Sequence, residues 1–128
     1  MVNAKADGAI AARFHGAWRY AGTTIDGEVR TDRGGEPVGL IIYDPSGHMS
    51  VQIMPGREQR PTSPIAQFLS YFGTYTIDEG ANTVTHHREG DIRPNAPTDV
   101  VRQYRFVGDR LILSPVGTAQ DIIWERIQ

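Results

Sequence analysis

The feature that most constrains this chain is its punctuation. Turn-forming clusters recur at short intervals, and the runs between them are apolar, aromatic or β-branched. "YDPSGH" (43–48), "IDEGAN" (77–82) and "VGDR" (107–110) each read as a hairpin connection, with Pro, Gly, Asp or Asn where a turn needs them. Eight strands are predicted, at about 16–24, 37–43, 48–54, 72–78, 82–89, 99–107, 110–114 and 120–127. Successive hairpins argue for an antiparallel meander. A meander of short strands with little helix leaves two exposed edges unless it closes on itself, so the expected architecture is all-β, an eight-stranded antiparallel up-and-down barrel.

Two segments read as helix. "AIAARFH" (9–15) is a short apolar turn before the first strand. "TSPIAQFLSYF" (62–72) offers Ser63 as N-cap and Pro64 at the first helical position. Ile65, Phe68, Leu69 and Phe72 follow with the spacing of one helical face. This predicts a lid helix over 64–72, between the third and fourth strands, with Phe68 facing the barrel mouth. Residues 25–36 and 55–62 read as polar loops.

With 128 residues the chain has the length of a single domain, 1–128, with no room for a separate cofactor domain. A net charge of −2 and scattered basic residues give no electrostatic case for nucleic acid or an anionic membrane. Cysteine is absent, which excludes disulfides, thiolate metal sites and cysteine nucleophiles and fits a reducing compartment. No apolar run approaches the ~20 residues that span a bilayer, and the first residues lack the apolar stretch of a signal peptide. The expected setting is cytoplasmic. No phosphate-binding loop, nucleophile elbow or metalloprotease motif occurs, so no cofactor and no metal are expected.

Three patterns together resemble a known family. Gly16-Ala17-Trp18 is a G-x-W at the start of the first strand, and Arg126 stands in the last one, "IIWERI". "VGLIIYDPSGHMSVQIMPGR", "YFGTYTID", "VTHHREGDIRPN" and "VRQYRFVGDRLILS" then follow in order. The set resembles the small bacterial and fungal lipocalin-like domain proteins, within the calycin superfamily, over most of residues 14–127. The resemblance implies an eight-stranded barrel around a small cavity, with Gly16, Trp18 and Arg126 as structural residues that close its base. Members usually carry a Trp shortly after the Pro-Asn pair, where this chain has Ala96.

A small barrel buries its lumen, so the more apolar face of each strand should point in. That rule predicts Val38, Leu40 and Ile42 inward, then Met49, Val51 and Ile53, then Tyr75 and Ile77. Tyr20 is expected to share the inner face with Trp18. "THHREG" poses a sharper question, because adjacent side chains of a strand point to opposite faces. His86 shares a face with Val84 and is predicted to line the lumen, and His87 to face outward with Thr83 and Thr85. Arg102, Tyr104 and Phe106 fall on one face with Val100.

The expected ligand site is therefore Tyr20, Leu40, Ile42, Met49, Val51, Phe68, Tyr75, Val84, His86, Arg102 and Tyr104. A mostly apolar pocket with a few convergent polar groups suits a small-molecule site. The first expectation is a binding protein that holds an apolar or aromatic metabolite in the lumen, with a homodimer allowed. The alternative is a cofactor-independent enzyme, an isomerase, cyclase, lyase or hydratase. It would use His86 for proton transfer with Tyr75, Tyr104 or Arg102, since imidazole titrates near neutrality.

Overall fold

The structure, a computed structural model, describes residues 8–30 and 35–128. Residues 31–34, within the expected 25–36 loop, and the first seven residues lie outside that description. Helix α1 (Ala9–Phe14) precedes nine strands: β1 (Gly16–Ile25), β2 (Glu28–Val29), β3 (Val38–Tyr43), β4 (His48–Met54), β5 (Leu69–Asp78), β6 (Thr83–Asp91), β7 (Asp99–Val107), β8 (Arg110–Pro115) and β9 (Gln120–Arg126). All pair antiparallel in the order β2-β1-β3-β4-β5-β6-β7-β8-β9, and β1 also pairs with β9. The eight long strands thus close into the expected up-and-down barrel, and β2 lies outside it as a short addition to β1.

The hairpins form where turn chemistry placed them. Asp44 accepts the Ser46 amide on its carboxylate, and Gly47 takes φ 91° to bring the chain back into β4. Between β5 and β6, Asn82 carries the left-handed conformation with φ 53°. One end of the barrel is closed by aromatic packing. Phe14 of α1 is fully buried and meets the rings of Tyr43, Tyr104 and Phe106 edge-on, with centroids 5.0–5.1 Å away. Trp18 donates its indole N–H to the Phe14 carbonyl at 2.9 Å, and the Arg126 guanidinium lies over its ring, 4.0 Å from the centroid. Arg126 also donates to the His15 carbonyl at 2.8 Å. A side chain at Gly16 would press on that guanidinium, so the G-x-W pattern needs its glycine.

Two expectations are corrected. The lid helix over 64–72 does not form. Ile65–Gln67 make one 3₁₀ turn, Phe68 is extended, and Leu69–Phe72 open β5. Ser63 bonds the Gln59 carbonyl instead of capping a helix. "LSYFGTYT" alternates as well as it spirals, and β4 offers it a full ladder, with Ile53 opposite Leu69 and Val51 opposite Tyr71. In the strand Tyr71 joins the core and Leu69 packs against it, whereas Ile65 and Phe72 are exposed.

The second correction concerns β3, whose facing is the reverse of the prediction. Ile41 and Tyr43 are buried, whereas Val38 and Ile42 are exposed and Leu40 lies with them on the outer face. Both faces of "VGLIIY" are apolar, so counting hydrophobics could not decide between them. Pairing does: Ile41 sits opposite the inward Trp18, and Gly39 gives the room Tyr20 needs, since a Cβ there would lie 3.1 Å from the Tyr20 Cβ. The other inward predictions hold: Met49, Val51, Ile53, Tyr75, Val84, Val100 and Tyr104 are all buried.

Candidate functional site

The site begins at β6. Val84 and His86 both point inward and are buried, and His87 points out. His86 is 1 % exposed. It lies between two tyrosine hydroxyls from other strands. The Tyr43 hydroxyl is 2.6 Å from Nε2, and the Tyr71 hydroxyl is 2.7 Å from Nδ1. A neutral imidazole has one N–H and one lone pair, so it accepts a proton from one tyrosine and donates to the other. Burial pushes the His86 pKa down to about 3, helped by the positive charge of Arg102. The ring is therefore neutral at pH 7. Burial also raises Tyr43 well above the ordinary phenol value and pushes Tyr71 up to about 12, so both phenols stay protonated.

His86 divides the lumen. On the α1 side lies the aromatic plug of Phe14, Tyr43, Tyr75 and Tyr104. On the other side a cavity of about 30 Å³ remains, walled by Ile41, Val51, Ile53, Leu113, Ile122 and Trp124. Tyr71, His86 and Arg102 give it a polar side, and partly exposed Leu69 stands at its margin. Such a void is head-group-sized: it exceeds the ~10–15 Å³ that one water needs, and is far below the roughly 300–1,000 Å³ of sites that enclose drug-sized ligands.

Arg102 is half-buried, and burial lowers its pKa. It donates to the Val101 carbonyl at 3.2 Å and has no carboxylate partner among the described residues. Nearby Arg88 differs: it donates to the Pro97 carbonyl and to Asp91 at 3.2 Å, and its guanidinium lies 5.2 Å from the Tyr71 ring centroid. Trp124 is buried, and its indole N–H has no partner among the described residues.

Of the predicted site residues, Val51, His86 and Arg102 meet at this cavity. Tyr75 and Tyr104 are inward, and Tyr75 pairs opposite His86 across the β5–β6 ladder, but the His86 nitrogens bond Tyr43 and Tyr71 instead. Tyr75 donates to the Asp44 carbonyl at 2.9 Å and stacks edge-on with Tyr43, and Tyr104 packs in the plug. Met49 and Val84 are core, Tyr20 hydrogen-bonds Thr23 at 2.6 Å, and Phe68 leads into β5. Leu40 and Ile42 lie outside. Sequence reasoning missed Tyr43, Tyr71 and Trp124. The first fell on the wrong face, the second inside the supposed helix, and the third stood in the predicted last strand with no role given to it.

The outer face of β6 also holds a hydroxyl, an imidazole and a carboxylate in sequence. Thr76 Oγ1 lies 2.8 Å from His87 Nε2, and Asp99 Oδ1 lies 3.0 Å from Nδ1. The order matches that of a nucleophilic triad. The group sits on an exposed sheet face where the strand amides serve the ladder, so no oxyanion donors face it. Among the described residues no group of three His, Asp or Glu side chains is placed to hold a metal, and no helix is long and apolar enough to cross a membrane.

The barrel, its plug and the Trp18–Arg126 closure can now be set beside known proteins. The sequence profile of the lipocalin-like domain family matches residues 15–126, nearly the whole barrel. The chain belongs to that family. No curated protein matches it. A lipocalin-like barrel is a fold suited to holding small molecules.

Proposed function

We propose that this lipocalin-like barrel binds a small, largely apolar metabolite. The head of the ligand would occupy the cavity beside His86, and its body would run past Leu69 and Ile122 toward solvent. One observation carries the reading: Tyr71, His86 and Arg102 converge on a void whose remaining wall is apolar. The test is native mass spectrometry of protein purified from its own host, followed by methyl NMR titration with the compound released. Shifts at Ile41, Val51 and Ile53 would support the reading. Shifts confined to surface methyls would end it.

A second reading, a cofactor-independent isomerase, cyclase, lyase or hydratase, is supported by the Tyr43–His86–Tyr71 chain. A neutral imidazole between two phenols can pass a proton along the chain. Tyr71 would then meet the substrate, with His86 acting through it. For an enzyme, His86→Gln should remove turnover while binding persists; for a carrier it should alter affinity only modestly.

A further inference from the structure

We infer that the cavity is an oxygen-acceptor site, which takes its ligand by a carboxylate or carbonyl oxygen and rejects cationic heads of the same shape. The inference rests on the cavity being the ligand site, and it adds the chemical class. Its first support is the direction of the Tyr43–His86–Tyr71 chain. The Tyr43 hydroxyl is fully buried among rings, and His86 Nε2 is its hydrogen-bond partner. An unpaired buried donor is costly, so Tyr43 must give its proton to Nε2. Nε2 is then the lone-pair nitrogen, and the ring proton sits on Nδ1. Nδ1–H donates to the Tyr71 oxygen, and the Tyr71 proton is left to point elsewhere. No second partner for the Tyr71 hydroxyl occurs among the described residues, and Tyr71 lines the void.

One further donor stands in the same wall. Arg102 gives one N–H to Val101 and keeps the others. Trp124 also lines the void, and its buried indole N–H has no partner among the described residues. Against the Tyr71 and Arg102 donors the wall offers no Asp or Glu among the described residues, and both His86 nitrogens are already used. A head that only accepts satisfies both, and a carboxylate also compensates a guanidinium that lacks an anion among the described residues. An ammonium head would meet only donors, one of them positively charged. The void of about 30 Å³ suits such a head and little more.

The test uses three probes of equal length on the intact protein: butyrate, butylamine and 1-butanol. Affinities come from methyl NMR titration, and the Trp124 indole proton is followed in the same spectra. Butyrate should bind at least tenfold tighter than butylamine and should move the Trp124 indole resonance. Tyr71→Phe and Arg102→Met should each weaken butyrate severalfold and leave 1-butanol nearly unchanged. The ¹⁵N shifts of the unmutated His86 ring, which need no variant to fold, should show the proton on Nδ1. Equal binding of all three probes would overturn the acceptor site and leave the cavity a binding site. A proton on Nε2 would overturn the directional argument. Binding of none would overturn the site itself.

Discussion

His86 and His87 are adjacent in the chain, and each stands between two oxygen partners. His86 lies 2.6 and 2.7 Å from two tyrosine hydroxyls, and His87 lies 2.8 and 3.0 Å from a threonine hydroxyl and a carboxylate. The contacts are alike in number and length. The surroundings are opposite, one a closed lumen and the other an open sheet face. The lesson is that a hydrogen-bond list does not rank two sites; what water can replace does. On the outer face a lost partner is exchanged for solvent. Inside, a lost partner leaves a polar group stranded, so the same geometry holds the ring in one protonation state.

That contrast can be broken most forcefully by deletion. His86→Ala strands two phenols and opens a void, and should cost roughly 3–5 kcal/mol in urea denaturation. A loss below 1 kcal/mol would mean that water enters freely and that the inner face is no different from the outer. Next in size is the pH effect. The folded pKa of about 3 lies below the ordinary histidine value of 6.5, so the unfolded chain binds the extra proton as pH falls. The contribution is fully present above pH 6.5 and shrinks below it, by about 3 kcal/mol at pH 4.5. Asp44, Asp91 and Asp121 all have pKa values below the ordinary 3.8, so they add their own loss only at lower pH. The slope between pH 6.5 and 4.5 should vanish in His86→Gln and persist in His87→Gln.

Smaller effects sharpen the comparison. Tyr43→Phe leaves Nε2 without a donor and should cost about 1–3 kcal/mol, whereas its outer counterpart Thr76→Val should stay within about 0.5 kcal/mol. A paired thermal melt reads both, and equal losses would contradict the account. The least effect belongs to Asp99→Asn, which removes the charge of an exposed partner of His87 and should lower the unfolding free energy from urea denaturation by no more than about 0.5 kcal/mol.

The sequence spoke clearly where one local rule operated alone. Gly47, Asn82 and Gly108 adopt positive φ at the predicted hairpins, and Val84 correctly led His86 inward. It was ambiguous where two rules gave equal answers. "VGLIIY" is apolar on both faces, and only the cross-strand neighbour Trp18 decides. "IAQFLSYF" fits a helix and a strand alike, and the ladder offered by β4 decides. The partners of His86 were illegible for a different reason. Tyr43 and Tyr71 lie 43 and 15 positions away and meet only through the registers of four strands, β3 to β6. Trp124 stood in the predicted last strand, but neither its facing nor its unsatisfied N–H was legible.

The pairing of β1 with β9 has a consequence for how the chain assembles. Every other contact around the barrel joins strands that follow one another along the chain, save that the short outer strand β2 intervenes between β1 and β3, and closing such short loops is cheap. The last pairing brings Trp18 to Arg126 and so must close nearly the whole polymer. Proteins that depend on such distant contacts fold slowly for their size, and this closure is the pairing that adds most to that dependence. Trp124 belongs to the closing strand, whereas Tyr71, His86 and Arg102 stand on three neighbouring strands joined in sequence. The polar side of the chamber is thus built from nearby stretches of chain, and its far wall needs the two ends of the barrel to meet.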